Sequence, residues 1–167
     1  MVYWISLYTL RLFMKIFYRA KCYNRQNLSK RGPYIGIINH NSIFDIPAMA
    51  VVVNHKAATM VKDSLFKVPI LRWWLRAVHM FPVRRDAGDQ EAFEHALKLL
   101  KEGYVLYMAP EGTRKYDPNN PPRARTGFVR LAELADCAVV PIAFTGTREA
   151  LPPGARFPRL TKVRANV

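Results

Sequence analysis

The sequence predicts an α/β protein in which helices cover both faces of a mostly parallel central sheet. Three largely apolar runs have the length of buried strands, at residues 34–39, 104–109 and 137–145. Segments with helical features separate these runs, at residues 45–53, 89–103 and 126–135. Apolar strands that alternate with helices are typical of a sheet with both faces covered.

The segments between these elements complete the pattern. Asp89 can cap a helix that Gly103 ends, and Pro69 can start or break a helical region. The helical region is predicted at residues 65–77, short strands at residues 57–61 and 79–83, and a polar, basic connector at residues 21–33.

The amino-terminal residues 2–18 predict an amphipathic, membrane-associating helix. Arg11, Lys15 and Arg19 recur every four residues and therefore share one helical face. The span is shorter than the ~20 apolar residues that cross a bilayer, and no small-residue cleavage site follows it. We expect an interfacial helix with its apolar side in lipid and its basic side on anionic headgroups. The alternative is an amphipathic helix that packs on its own domain.

The charge of the chain indicates an anionic partner. Lys and Arg number 26 against 12 Asp and Glu, which gives a formal net charge of +14. Nucleic acid, an anionic membrane, an acidic carrier protein or a phosphorylated substrate would all fit. No nucleic-acid partner is expected, since no recognised binding motif accompanies the charge. Cys22 and Cys137 form no Cys-x-x-Cys pair, which favours a reducing, cytosolic environment.

His40 and Asp45 follow the first predicted strand and are five positions apart. On a helix this spacing separates the side chains by about 140°, and on a strand it sends them to opposite faces. They can meet only if the chain turns after His40, at a strand exit, where α/β proteins place their chemistry. An aspartate bonded to one imidazole nitrogen leaves the other nitrogen to act as a base on a substrate hydroxyl.

Other interpretations of this segment are structural or involve different chemistry. Ser42 and Asp45 also form a Ser-x-x-Asp capping box for the following helix. Ser42 lacks the Gly-x-Ser-x-Gly turn that would present it as a hydrolase nucleophile. No metal is expected, because further ligands at a suitable spacing are missing.

A second polar group, Glu111, Gly112, Thr113 and Arg114, follows the strand at residues 104–109. Arg114 can bind phosphate through paired hydrogen bonds, Thr113 and backbone N–H groups add donors, and Gly112 permits close backbone approach. The run therefore suits a phosphate-bearing polyol. On its own, a polar turn with a solvated arginine fits it as well.

The two motifs, in this order and spacing, resemble those of the glycerolipid acyltransferase family. The family's first motif looks like Asn39-His40-x4-Asp45 and its third like the Pro-Glu-Gly-Thr-Arg run at residues 110–114. A proline-containing strand and a basic-x-Gly-Phe segment also look like family segments, at residues 139–143 and 125–128. The likeness covers residues 30–148 and is closest to bacterial 1-acyl-sn-glycerol-3-phosphate acyltransferases.

The family's second motif is matched less well. It usually has a glycine, an apolar run and a closing arginine, whereas His79 stands here where glycine is expected. Arg85 best matches the closing arginine. The departure leaves acceptor specificity open more than the chemistry, and we expect His79 to pack rather than to catalyse.

The resemblance implies a 1-acylglycerol-3-phosphate O-acyltransferase of phospholipid biosynthesis at the cytosolic face of the membrane. His40, oriented by Asp45, would deprotonate the hydroxyl of lysophosphatidic acid, which would attack the thioester of acyl-CoA or acyl-carrier protein and give phosphatidic acid. No metal or redox cofactor is implied. The phosphate and glycerol of the acceptor would be held by Arg85, Glu111, Gly112, Thr113 and Arg114.

The resemblance also divides the chain into an interfacial helix at residues 1–22 and an acyltransferase domain at residues 30–167. Related proteins often continue past a stretch such as residues 156–164, so we expect this domain to be short at its C-terminal end. Two alternatives stay open: the same chemistry on another lysolipid, such as a lyso-ornithine lipid, or a non-catalytic membrane-binding relative. The intact His40, Asp45 and Glu111 argue against the second.

Overall fold

The computed structural model describes residues 1–29, 32–84, 89–112 and 124–167. Its fold is a seven-stranded sheet with helices on both faces. The strand order is β1-β7-β6-β2-β5-β3-β4, and among these neighbours only β6 and β7 are antiparallel. The predicted α/β class with a mostly parallel sheet is confirmed. The strands are β1 (Lys21–Tyr23), β2 (Tyr34–Ile38), β3 (Ala57–Lys62), β4 (Met80–Val83), β5 (Val105–Met108), β6 (Ala138–Thr145) and β7 (Arg164–Asn166).

The helices lie close to their predicted positions, except a four-residue helix, Thr147–Ala150, that was not predicted. Pro69 is the first residue of its helix, and the Asp89 side chain accepts a hydrogen bond from Ala92 N at 3.2 Å, as a helix cap does. The helix predicted at residues 45–53 is a short α-helix followed by a 3₁₀ turn, Met49–Val51. The helices are α1 (Val2–Phe17), α2 (Asp45–Ala48), α3 (Pro69–Ala77), α4 (Gln90–Lys101), α5 (Gly127–Ala135) and α6 (Thr147–Ala150).

Two short strands, β1 and β7, were not predicted, and β1 lies inside the segment predicted as a connector. Each has three residues, which is too few for an alternating pattern, and most of their side chains are exposed. They form because Lys21, Cys22 and Tyr23 pair in parallel with residues 164–166, so backbone hydrogen bonds rather than apolar side chains define them.

Two apolar cores cover the two faces of the sheet. Successive side chains of a strand point to opposite faces, so Tyr34 and Ile38 of β2 lie in one core and Ile35 in the other. The first core contains residues of α1 and of the Met49–Val51 turn. The second contains residues of α4 and α5. The sheet is thereby held rigid behind its strand ends.

α1 packs on the domain through Tyr3, Leu7 and Met14, which are buried. Arg11, predicted on the basic side that contacts headgroups, instead faces the domain: its Nε donates to Ala50 O at 2.8 Å, and its Nη2 donates to Val53 O. Unsatisfied carbonyl oxygens at the end of a helical segment attract a guanidinium, which explains the difference.

The opposite side of α1 carries a stripe of apolar residues that nothing in the described structure covers. None of the described helices is long and apolar enough to cross a bilayer. Four residues of this stripe, each 57–60% exposed, are Ile5, Tyr8, Leu12 and Ile16.

Gly146, just before α6, lies where the C-terminal segment crosses close to the chain, and we predict that only glycine fits this position. Gly146 has φ +83°, and a Cβ there would lie 2.0 Å from Lys162 O. Gly154 has nearly the same φ, +81°, with no atom within 4 Å of a Cβ. We expect Gly154→Ala to cost about 1 kcal/mol of unfolding free energy, from the backbone alone, and Gly146→Ala at least ~3 kcal/mol. Urea unfolding of both variants measures this, and equal losses would show that the close crossing is absent.

Candidate active site

The candidate site lies at the carboxyl ends of two neighbouring strands. β2 and β5 pair in parallel, with Ile35 opposite Leu106 and Ile37 opposite Met108. The segments that follow them therefore leave the sheet at the same edge, which brings His40 and Glu111 together although they are distant in sequence. Ligands of open α/β sheets bind at this edge.

His40 and Asp45 are in direct contact. His40 Nδ1 lies 3.0 Å from Asp45 Oδ2, and the two side chains are 12% and 1% exposed. An ionised carboxylate can only accept, so the contact assigns the Nδ1–H tautomer to neutral His40 and leaves Nε2 without a proton. The turn expected from the five-residue spacing is present, and it makes Nε2 available as a base.

The same Asp45 oxygen closes the turn. Asp45 Oδ2 also accepts hydrogen bonds from the backbone N–H groups of Asn41 and Ser42, both at 2.9 Å. The predicted capping box forms only in part, because the Ser42 hydroxyl accepts from Phe44 N and donates to Leu151 O instead of capping α2. Asp45 thus contacts both the turn before α2 and the imidazole through one oxygen.

Asn39 ties this turn to the sheet. Its side chain donates to Phe144 O at 2.9 Å and accepts from Phe144 N at 2.7 Å, which continues the pairing of β2 with β6 beyond the end of β2. Asn41 donates to the same carbonyl at 3.3 Å. His40 is therefore held on both sides in sequence by amides that bond to one residue of β6.

The structure describes only the first part of the Pro-Glu-Gly-Thr-Arg run, as far as Gly112. The Glu111 carboxylate, expected on the acceptor, accepts a hydrogen bond from the backbone N–H of His40 at 3.4 Å. Gly112 has φ +63°, and a Cβ there would lie 3.3 Å from the Arg125 guanidinium, so this glycine permits the close approach of Arg125. Arg85, Thr113 and Arg114 lie outside the described residues.

A cavity of about 460 Å³ opens beside the His40–Asp45 pair. Its wall includes two cationic residues that we did not select from the sequence, Lys62 at the end of β3 and Arg125. Arg125 belongs to the basic-x-Gly-Phe segment, which was the available signal, whereas Lys62 has no motif of its own. Much of the remaining wall is apolar, with Ile38, Ile43, Ile46, Met49, Met60, Leu65, Val83 and Met108. Among the described residues, no group of three or more His, Cys, Asp and Glu is arranged as metal ligands.

His79 is not part of this cavity wall. Its φ is +58°, the left-handed region that favours glycine, which accounts for the glycine expected at this position. Its ring stacks on Tyr3 of α1 at 4.7 Å between centroids and meets the edge of Tyr104 at 5.1 Å. Burial lowers the pKa of His79, and the charge of Lys56 lowers it further. His79 therefore packs as a neutral ring between α1 and the sheet.

Comparison with known proteins agrees with this geometry. The model of the Acyltransferase family matches residues 19–145, which is more than half of the chain. The chain belongs to the Acyltransferase family. The resemblance to glycerolipid acyltransferases is confirmed, and residues 19–145 that the family model matches include both the His40–Asp45 turn and Glu111.

Three similar proteins carry the name 1-acyl-sn-glycerol-3-phosphate acyltransferase or its equivalent. The Bacillus subtilis protein is 29% identical over 128 residues, which are 76% of this chain and 63% of that protein. The Saccharomyces cerevisiae protein is 30% identical over 139 residues, 80% of this chain and 45% of that one. The crystal structure of PlsC, the 1-acyl-sn-glycerophosphate (LPA) acyltransferase from Thermotoga maritima, has a TM-score of 0.78 and 25% identity over 96% of this chain and 66% of its own. The chain thus spans less than two thirds of the length of these relatives.

The Nδ1–H tautomer of His40 is directly testable. The measurement is histidine side-chain ¹⁵N NMR of the labelled protein at a pH where His40 is neutral. We expect His40 to hold its proton on Nδ1, because Asp45 accepts there. Asp45→Asn should shift His40 toward the Nε2–H form, since an amide can also donate. His55, His79 and His95 serve as internal controls and should not change. A neutral His40 protonated on Nε2 in the unsubstituted protein would contradict the geometry.

Proposed function

We propose that this acyltransferase moves a fatty acyl chain from acyl-CoA or acyl-carrier protein to the free hydroxyl of 1-acyl-glycerol-3-phosphate, giving phosphatidic acid. The observation that carries the proposal is the 3.0 Å contact between His40 and Asp45 at the wall of a cavity that is both cationic and apolar. The names of the relatives support the choice of acceptor.

The chemistry needs no nucleophile from the protein. His40 Nε2 takes the proton of the acceptor hydroxyl as its oxygen attacks the thioester carbonyl carbon. The tetrahedral intermediate then collapses, the carbon–sulfur bond breaks, and the thiolate takes the proton from the imidazolium. Asp45 stabilises the imidazolium that exists between these steps. General-base assistance of this kind contributes on the order of 10²–10⁴ in rate.

Positive charge around the cavity would hold the acceptor phosphate. Lys62 and Arg125 lie on the wall beside the base, and we place Thr113, Arg114 and Arg85 in the same role by the family resemblance. Gly112 would admit the glycerol backbone close to the chain. Glu111 would contribute indirectly, since its carboxylate holds the His40 backbone and would repel a phosphate.

The apolar wall would hold acyl chains. Ile43, Ile46 and Met49 come from the turn after β2, from α2 and from the 3₁₀ turn that follows α2, while Met60 and Leu65 belong to β3 and to the 3₁₀ turn Asp63–Lys67. A volume of about 460 Å³ lies within the ~300–1,000 Å³ range of small-molecule sites. A lysolipid, with one charged and one apolar end, matches this division.

We place the enzyme peripherally on the cytosolic face of the membrane. The exposed stripe of α1 offers apolar and aromatic side chains of the kind that enter the bilayer interface. Residues 1–22 would thus bring the domain of residues 30–167 to its lipid substrate. The buried side of α1, with Arg11, would keep the helix docked while the other side contacts lipid.

A panel of acceptors with one acyl donor tests the proposed function. We expect turnover of lysophosphatidic acid to exceed that of lyso-ornithine lipid, other lysophospholipids and monoacylglycerol, which lacks the phosphate. Arg125→Gln should lower kcat/KM for lysophosphatidic acid by about 10- to 100-fold through KM, because it removes a charged hydrogen bond to phosphate, and should leave monoacylglycerol unaffected.

Arg130→Gln is the matched control, because Arg130 lies on α5 and packs over Phe93 outside the cavity wall. If another lysolipid is turned over faster than lysophosphatidic acid, the proposed acceptor is wrong and the proposed acyl-transfer chemistry stands. Absence of acyl transfer to every acceptor from either donor would overturn the proposal in favour of a non-catalytic relative.

A further inference from the structure

A cationic surface lies where the end of α1 meets the C-terminal segment. The chain leaves α1, Tyr18 O accepts a hydrogen bond from Val163 N at 3.1 Å, and Lys21 N donates to Val163 O at 3.2 Å. From there β1 and β7 run side by side. We call this surface the basic seam; its exposed side chains are Arg19, Lys21, Arg156, Arg159, Lys162 and Arg164.

Hydrogen bonds to backbone carbonyl groups of α6 and the residue before it, rather than contacts of the basic side chains, position residues 159–163. Arg159 N donates to Ala150 O at 2.7 Å, and the Thr161 hydroxyl donates to Gly146 O at 3.1 Å. Residues 159–163 thereby follow α6 and reach the end of α1. The charged side chains remain on the outside of this track.

The seam has no compensating acidic residues of its own. Residues 1–44 and 150–167, which supply it, contain no Asp or Glu, and Glu149 of the adjoining α6 takes part in none of the ion pairs between described residues. No ion pair between described residues includes any of its six side chains. Lys21 and Arg164 are direct partners across the parallel β1–β7 pair, and like charges that lie side by side repel each other. The fold therefore carries an unpaired positive surface at a cost in stability.

Exposed apolar side chains lie among these charges. Phe157 is 80% exposed and Leu160 is 71% exposed, each within three residues of two basic residues of the seam. Phe13 and Phe17, in the last turns of α1, are 42% and 52% exposed. Basic residues interspersed with exposed aromatic and aliphatic residues are typical of a surface that binds anionic lipid.

We propose that the basic seam binds the anionic headgroups of a lipid bilayer, with Phe157 and Leu160 entering its interface. The seam supplies the headgroup contacts that Arg11 does not make, because Arg11 is engaged with backbone carbonyls. A membrane fits better than an acidic protein, because the exposed apolar side chains continue from the seam along α1. The inference rests on the proposed function only in that the acceptor is a membrane lipid.

Vesicle sedimentation of the full chain tests the seam. We expect binding to phosphatidylcholine vesicles that contain phosphatidylglycerol, weaker binding to pure phosphatidylcholine, and loss of the difference at high salt. A basic residue near an anionic surface contributes about fivefold to partitioning, so Lys21→Gln/Arg164→Gln should weaken binding roughly 30-fold. The same variant should unfold at an equal or higher temperature, because it removes a like-charge pair.

Lys98→Gln/Lys101→Gln on α4 is the matched control, with the same change in net charge and an expected effect of less than about threefold. Phe157→Ala/Leu160→Ala should weaken binding to both kinds of vesicle. An equal loss in the α4 control, or unchanged binding of the seam variant, would overturn the proposal. Intact vesicle binding with lost binding to acidic acyl-carrier protein would instead make the seam a protein-docking surface.

Different results would overturn the proposal for the seam and the proposed function. Vesicle binding needs no turnover, so a chain that binds anionic vesicles through the seam but acylates no acceptor overturns the function and supports the seam. Turnover of a short-chain, water-soluble lysophosphatidic acid by the seam variant should equal that of the unsubstituted protein. A loss of this turnover would contradict a purely membrane-binding role.

Discussion

One carboxylate oxygen determines the geometry of the site. Asp45 Oδ2 accepts hydrogen bonds from the His40 ring and from the backbone N–H groups of Asn41 and Ser42. A buried carboxylate is costly unless such bonds compensate its lost hydration, so the turn and the imidazole orientation depend on the same oxygen. Asn39, bonded to both backbone groups of Phe144, fixes where this turn begins. The cavity wall and the contact to Glu111 follow from that position.

The parallel sheet converts two distant motifs into one site. β2 and β5 are neighbours, so their exit segments meet without any long loop having to close. β3 ends at the same edge and adds Lys62 to the wall. The apolar cores on the two faces hold these strands, while the strand ends remain open to a substrate. The His40–Asp45 pair, the cationic wall and the apolar wall therefore come from separate segments of a rigid frame.

Most of the fold and the centre of the site were predictable, because their signals are local or lie in compact motifs. Continuous apolar runs identified the buried strands, and the His40–Asp45 spacing required a turn at a strand exit. β1 and β7 were missed because backbone pairing between distant segments, not side-chain pattern, defines them. Arg11 was misplaced because helical spacing shows which residues share a face but not which carbonyls that face meets. Lys62 could not be identified from the sequence, because only the strand order shows that the end of β3 lies at the same cavity as His40.

The most direct measurement is single-turnover acyl transfer to lysophosphatidic acid by the unsubstituted protein and by His40→Ala, with His95→Ala, an exposed histidine on α4, as the control. We predict that His40→Ala lowers the rate by about 10²–10⁴ while lysophosphatidic acid still binds, because the variant loses the base and keeps the cationic wall. The control should keep the full rate. Acyl transfer by His40→Ala at the rate of the unsubstituted protein would contradict a general-base role for His40.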